Sequence, residues 1–107
     1  MKNTGNDTAQ AMKPGPKGVR TAVTTDLLVF FYEKMDQVNQ AWNDADEIKD
    51  FWSKLDELGF VTKVDGDDEK YGQRKFVGIP VRGGNEFRIS LILKGGALSV
   101  DLREWWL

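Results

Sequence analysis

Apolar residues recur at helical spacing in the first half of the chain. Between about Asp26 and Trp42 they follow alternating steps of three and four residues, at Leu28, Phe31, Met35, Val38 and Trp42. This spacing places them on one side of a helix and predicts an amphipathic helix with an apolar stripe. Thr24 or Thr25 can cap its N-terminus, and Asp26 suits its first turn.

A second helix is predicted after a break at Asn43–Asp44. Asp44 and Glu47 have the spacing of a capping box. The apolar positions that follow again share one helical face, at Ile48, Phe51, Trp52, Leu55 and Leu58. Gly59 supplies the left-handed residue that commonly ends a helix.

Beyond Gly59 the apolar period changes from helical to two, which is typical of strands. Four strands are predicted, over Phe60–Val64, Arg74–Arg82, Glu86–Lys94 and Ala97–Trp106. Turns separate them at Asp65–Lys70, Gly83–Asn85 and Gly95–Gly96. The chain is therefore expected to be an α+β protein, with two N-terminal helices packed on one face of a four-stranded antiparallel β-meander.

The first residues show no apolar period. They are polar, contain glycine and proline, and carry the basic residues Lys2, Lys13, Lys17 and Arg20 with one acid, Asp7. We interpret residues 1–22 as a flexible basic arm and residues 23–107 as a single α+β domain.

Alternation assigns the two faces of the sheet. One set of side chains is apolar and is expected to face the helices: Val77, Ile79, Val81, Phe87, Ile89, Leu91, Leu93, Leu98, Val100, Leu102 and Trp106. The other face then carries basic and aromatic side chains, at Arg74, Phe76, Arg82, Arg88, Lys94, Arg103 and Trp105, together with Ser90, Ile92, Ser99 and Asp101. A β-bulge at Gly78 or Pro80 would invert this assignment for the rest of its strand.

Composition excludes several kinds of chemistry. The chain has no cysteine and no histidine, so thiol nucleophiles, disulfides and histidine bases are absent. Asp101 and Glu104 lie on opposite sides of one strand and cannot act as a carboxylate pair. The acidic run Asp65–Glu69 lacks the spacing of a calcium loop and is interpreted as a solvated turn. We expect no enzymatic activity, no metal and no cofactor. With no apolar run of membrane-spanning length and no leader, we also expect a cytoplasmic protein.

Charge is distributed unevenly and indicates a partner. Four of five charges in residues 1–20 are basic, thirteen of eighteen in residues 21–70 are acidic, and six of nine in residues 71–107 are basic. A sheet face with cations between aromatic rings suits single-stranded DNA or RNA, because cations meet phosphates and rings stack on unpaired bases. We predict phosphate contacts by Arg74, Arg82, Arg88, Lys94 and Arg103, and stacking by Phe76 and Trp105.

The segment FRISLILKGGALSVDLREWW, residues 87–106, resembles the first hairpin of the positive-cofactor-four-like transcriptional coactivators. Those small dimeric proteins bind single-stranded DNA across a curved antiparallel sheet, and their second strand ends in a similar Val-Asp-Ile-Arg-Glu run followed by two aromatics. In that family the hairpin opens the domain, whereas here it follows the helices. The resemblance implies DNA contacts for Arg103 and Trp105, and a homodimer.

An alternative function remains open. Acidic side chains cluster on the predicted helices, at Asp36, Asp44, Asp46, Glu47, Asp50, Asp56 and Glu57. They would allow a small interaction module, such as a regulator, inhibitor or immunity-type protein, to meet a basic partner. In a further possibility, the sheet pairs with a second copy of the chain, and Trp105 and Ile92 are buried in a homodimer.

Overall fold

The computed structural model describes residues 12–18, 22–64 and 68–107. In chain order its strands are β1 (Lys13–Pro14), β2 (Val61–Thr62), β3 (Gln73–Pro80), β4 (Glu86–Lys94) and β5 (Ala97–Trp106). Its α-helices are α1 (Thr25–Asp44), α2 (Ile48–Glu57) and the single turn α3 (Asp68–Tyr71). The fold class α+β is therefore confirmed, with five strands and three helices in the described residues where the sequence predicted four and two.

Helix α1 begins where its sequence predicts. Thr24 is the N-cap, and its hydroxyl accepts a hydrogen bond from the Leu27 amide at 3.2 Å. The buried side of the helix carries Leu27, Val38 and Ala41. The predicted stripe is thus displaced at its two ends, because Leu28 and Trp42 are each 44% exposed while their neighbours Leu27 and Ala41 are buried.

Helix α2 ends as predicted but begins differently. The amide of Gly59, at φ +93°, donates to Asp56 O, and the Phe60 amide donates to Leu55 O. This pair of bonds is the Schellman arrangement. The capping box predicted at Asp44 and Glu47 is wrong, because Asp44 is the last residue of α1 and the N-cap Glu47 makes no side-chain cap bond.

The strands form one antiparallel sheet in the order β1-β5-β4-β3-β2. β3 pairs with β4 without interruption from Gln73↔Leu93 to Pro80↔Glu86. Gly78 and Pro80 therefore mark no bulge, and the predicted assignment of faces holds along β3. Gly95 and Gly96, at φ +59° and +79°, form the tight β4–β5 turn that the sequence predicted.

The fifth strand comes from the segment interpreted as a flexible arm. Lys13 pairs with Trp106 and Pro14 pairs with Trp105, so β1 covers the outer edge of β5. The Gly15 amide donates to Glu104 O at 2.9 Å. The structure thus differs from the predicted arm of residues 1–22 at these positions, while residues 1–11 and 19–21 of that arm lie outside the described part.

The core lies between the helices and one face of the sheet. One cluster joins both helices to β4 through Val38, Ala41, Phe51, Leu55, Phe60 and Leu91. The other joins the start of α1 to the sheet through Leu27, Phe87 and Ile89. The helices do not reach the whole sheet, so Val100 and Trp106, both expected in the core, are 45% and 44% exposed. In the described residues, no helix is both long and apolar enough to cross a membrane.

Candidate nucleic-acid interface

The face of the sheet that points away from the helices contains a cleft built from every strand region. Its volume is about 210 Å³. The lining side chains come from β1, from the segment after β2, and from β3, β4 and β5. They include Pro14, Lys63, Arg74, Phe76, Ser90, Ile92, Asp101, Arg103 and Trp105. We call this the concave cleft. The prediction that basic and aromatic side chains share one face of the sheet is confirmed for Arg74, Phe76, Arg103 and Trp105.

The edges of the sheet lean towards each other across this cleft. Lys63 follows β2, which is separated from β5 by two strands, so a flat sheet would keep the strands about 14 Å apart. Yet the Lys63 ammonium lies 5.1 Å from the centroid of the Trp105 ring on β5. At that distance the cation interacts with the face of the ring. The lysine therefore borders the surface on which a planar ligand would stack.

Arg88 lies between the two aromatic rings of this face. Its guanidinium carbon is 4.0 Å from the centroid of Phe76 and 4.3 Å from the centroid of Trp105. The register explains the contact, since Phe76 and Trp105 are the diagonal neighbours of Arg88 on the two adjacent strands. The opposite residue on β3 is Gly78, which leaves room for the side chains to lean together.

This arrangement corrects the prediction of an open, solvated face. Arg88 is 0% exposed, Phe76 is 3% exposed and Trp105 is 9% exposed, so the three form a small second core. Arg88 therefore has no surface with which to contact a phosphate while the rings remain in place. Phe76 and Trp105 line the cleft with only a small part of each ring.

The buried guanidinium is only partly satisfied. Its Nε donates to Glu86 Oε1 at 2.6 Å, but in the described residues neither Nη1 nor Nη2 has a hydrogen-bond acceptor. Nε1 of Trp105 is also buried without an acceptor there. Burial lowers the pKa of Arg88, while the hydrogen bond and the charge of Glu86 act in the opposite direction. The group stays cationic because arginine is not deprotonated in proteins.

Arg103 is held by its own strand. Its Nε and Nη2 donate to the two carboxylate oxygens of Asp101, both at 2.7 Å, and its Nη1 donates to Gly15 O at 3.3 Å. The hydrogen bond to Asp101 raises the pKa of Arg103, and the Asp101 charge adds to this effect against a smaller cost of burial. Arg103 thus positions the β1 edge of the cleft, and most of its charge is balanced.

Two of the predicted phosphate contacts lie elsewhere. Arg82 is outside β3, in a short 3-10 turn, and its Nη2 lies 3.4 Å from Glu104 Oε1, on the helix side of the sheet. Lys94 is at the far end of β4, where its ammonium donates to Lys70 O. Neither lines the concave cleft. Alternation does not place Arg82 correctly because β3 ends at Pro80. Lys94 lies outside the cleft because the cleft does not extend to the β4–β5 turn.

Lys63 is not among the site residues predicted from the sequence. Val61 pairs with Phe76, which places it on the cleft side, and alternation carries Lys63 to the same side. The pattern of the segment Phe60–Val64 was available in the sequence, but so short a strand fixes no face on its own. Its orientation depends on pairing with β3, which only the structure supplies.

The acidic residues of the helices are exposed, as the alternative function requires. Three of the seven have lysine partners, in the pairs Glu47–Lys49, Glu57–Lys54 and Asp56–Lys75. The negative charge of this layer is thus partly balanced. Within the described ranges, no three His, Cys, Asp or Glu side chains come together to hold a metal ion. Of the acidic run predicted as a solvated turn, Asp65–Asp67 lies outside those ranges, and Asp68 begins α3.

Comparison with protein-family models, with curated proteins and with solved structures finds no match to this chain. The fold and the cleft are therefore interpreted from their own geometry.

Proposed function

We propose that this protein binds single-stranded nucleic acid, with DNA as the first candidate, in the concave cleft. One observation carries the proposal: β3, β5 and the segment after β2 bring cations to a cleft that is also lined by two aromatic rings. Lys63 follows β2 and Arg74 lies on β3, whereas Arg103 and Trp105 both lie on β5. Single-strand binding proteins combine the same two elements, a cationic path for the backbone and rings on which bases stack.

The size of the cleft favours one unit of a polymer over a whole small molecule. Pockets for complete drug-sized ligands are typically about 300–1,000 Å³, whereas this cleft is about 210 Å³. A duplex offers no unstacked base to such a site and would gain only the charge interaction.

Lys63 would change partner when the nucleic acid binds. In the structure its ammonium lies over the Trp105 ring. A base that stacks on the exposed part of that ring would displace the ammonium, and the flexible lysine side chain could turn towards a phosphate. Base stacking would then be coupled to phosphate contact.

The proposal is tested by titrating the protein with fluorescein-labelled oligo-dT and following anisotropy at several salt concentrations. With two or three cations of the cleft on phosphates, log affinity should fall with log salt at a slope between about −1.4 and −2. Five phosphate contacts, the number predicted from the sequence, would produce a steeper slope, near −3.5. Quenching of the protein's tryptophan fluorescence should accompany binding, and the part of the quenching that Trp105 contributes should be lost in Trp105→Phe.

Matched variants locate the site. Lys63→Ala and Arg74→Ala should each weaken binding at low salt and reduce the slope by about 0.7. Lys49→Ala and Lys54→Ala remove the same kind of charge from α2, on the other side of the molecule, and should leave both quantities unchanged. Equal effects of all four variants would mean that binding follows total charge and not the cleft.

The alternative of a protein-interaction module has a different supporting observation. Leu28, Val29 and Tyr32 on α1 are 44%, 49% and 66% exposed, an apolar strip that a second copy or another protein could cover. A folded sample that does not bind oligo-dT at low salt, and that elutes as a dimer in size-exclusion chromatography, would favour this alternative over nucleic-acid binding.

A further inference from the structure

The unsatisfied donors between the aromatic rings point to a specific part of the ligand. Nη1 and Nη2 of Arg88 and Nε1 of Trp105 are buried, and no acceptor for them exists among the residues that the structure describes. Folded proteins rarely leave such buried donors without an acceptor. Phe76 and Trp105 line the concave cleft, and Arg88 packs against both of these rings without lining the cleft itself.

The direction from which an acceptor can arrive is restricted. Phe76 and Trp105 cover the guanidinium at 4.0 and 4.3 Å, and Glu86 occupies its Nε. What remains is the edge formed by Nη1 and Nη2. This fork matches two oxygens of one oxyanion, the geometry in which arginine binds phosphate or carboxylate most strongly.

We infer that Arg88 receives the terminal phosphate of a nucleic acid strand bound in the concave cleft. The inference rests on the proposed function and adds to it a preference for strand ends. An internal phosphodiester is flanked by sugars on both sides and must follow the open cleft. A terminal phosphate has a free end that can reach the edge of the guanidinium, and it carries a charge of about −1.5 to −2 at neutral pH.

Access requires the Trp105 ring to move. Trp105 lies near the outer edge of the sheet, where the two-residue strand β1 and a bridge from Gly18 to Arg103 border β5 in the described residues. Movement of this ring uncovers Arg88 without disturbing the core under the helices. Lys63, which already lies over the ring, would follow it to the incoming phosphate.

The test changes the ligand and leaves the protein intact. Oligo-dT of one length is compared with a 5′-phosphate, with a 3′-phosphate and with hydroxyl groups at both ends. We expect one phosphorylated form to bind at least about tenfold more tightly than the unphosphorylated form, the gain typical of hydrogen bonds to a charged group. Equal affinity for all three would overturn the inference and leave the proposed function standing. Failure of all three to bind at low salt would refute the proposed function itself.

Two further titrations identify the source of the phosphate. Inorganic phosphate and thymidine monophosphate are titrated alone. Either one binding as tightly as the phosphorylated oligonucleotide would assign Arg88 to a free anion and overturn its assignment to strand ends. Weak binding of both, with the preference retained, supports the inference.

A variant then connects the preference to Arg88. Arg88→Lys keeps a cation but loses the fork, so the ratio of the affinities for phosphorylated and unphosphorylated oligo-dT should fall to about twofold or less. Arg82→Lys is the matched control, since Arg82 is exposed and outside the cleft. An undiminished preference in folded Arg88→Lys would overturn the inference. If that variant does not fold, the comparison of strand ends with the unmodified protein still decides.

Discussion

Gly78 controls the ion pair beneath the cleft, and an alanine at this position should separate it. A Cβ built at Gly78 would lie 2.7 Å from Cγ, Cδ and Oε1 of Glu86. The same Oε1 accepts the hydrogen bond from Arg88 Nε at 2.6 Å. The glutamate side chain is flexible and can move away, but only by giving up this bond. Gly78→Ala should therefore act on stability through Arg88, although it touches only Glu86.

The expected magnitude follows from two opposing effects. A hydrogen bond to a charged group contributes about 1.5–3 kcal/mol. Replacing glycine with alanine inside a strand contributes about 0.5–1 kcal/mol in the other direction, because the unfolded chain loses freedom. Gly78→Ala should thus lower the free energy of unfolding by about 1–2 kcal/mol.

The sign should reverse once the pair is removed. In the background Glu86→Ala with Arg88→Met neither charge is present, and nothing remains to collide with the new methyl group. There Gly78→Ala should raise the free energy of unfolding by about 0.5–1 kcal/mol. Urea denaturation of the four proteins, followed by circular dichroism, measures both values, and the midpoint should fall by roughly 1 M in the first background. A similar loss in both backgrounds would refute the reasoning, since it would place the strain in the backbone of β3.

Two other substitutions test the edges of the fold. Gly15→Ala should detach β1 from β5, because a Cβ there meets Glu104 O at 2.7 Å and a backbone oxygen cannot move aside. The amide at position 15 should then lose its protection from hydrogen exchange, and retained protection would contradict this. Thr24→Ala should lower the free energy of unfolding by about 1 kcal/mol through loss of the α1 cap, measured by thermal denaturation. Thr25→Ala is the control for the cap and should have a much smaller effect.

The sequence predicted those features that depend on local chemistry. Gly59 ends α2, Gly95 and Gly96 turn the last hairpin, and alternation places Phe76, Arg88 and Trp105 on the same face of the sheet. Each depends on a residue and its near neighbours. Burial on that face could not be predicted in this way. Alternation says to which side a side chain points, whereas burial depends on how far the sheet curls and on which diagonal neighbours lean together.

Strand β1 shows a second limit of the sequence. Lys13 and Pro14 lie in a polar segment without an apolar period, and two residues are too few to produce one. Their strand exists because β5 offers an unpaired edge, and unpaired edges tend to be covered. Such pairing is a property of the assembled sheet. The cleft could not be predicted from the sequence for the same reason, because its lining includes Pro14 of β1 and Lys63, which follows the two-residue strand β2.

Stability alone does not account for an arginine between Phe76 and Trp105. A methionine would fill the same space without the cost of desolvating a charge, and exchanging a buried ion pair for apolar residues is often neutral or stabilising. Arg88 also leaves two of its nitrogens without an acceptor in the described residues, so it does not even recover the full benefit of its hydrogen bonds. The charged and unsatisfied group therefore makes physical sense if an acceptor arrives from outside. The variant with Glu86→Ala and Arg88→Met separates the two purposes: a protein that is equally stable but no longer prefers phosphorylated strand ends would show that the guanidinium serves the ligand, whereas a protein that loses stability and keeps the preference would show that it serves the fold.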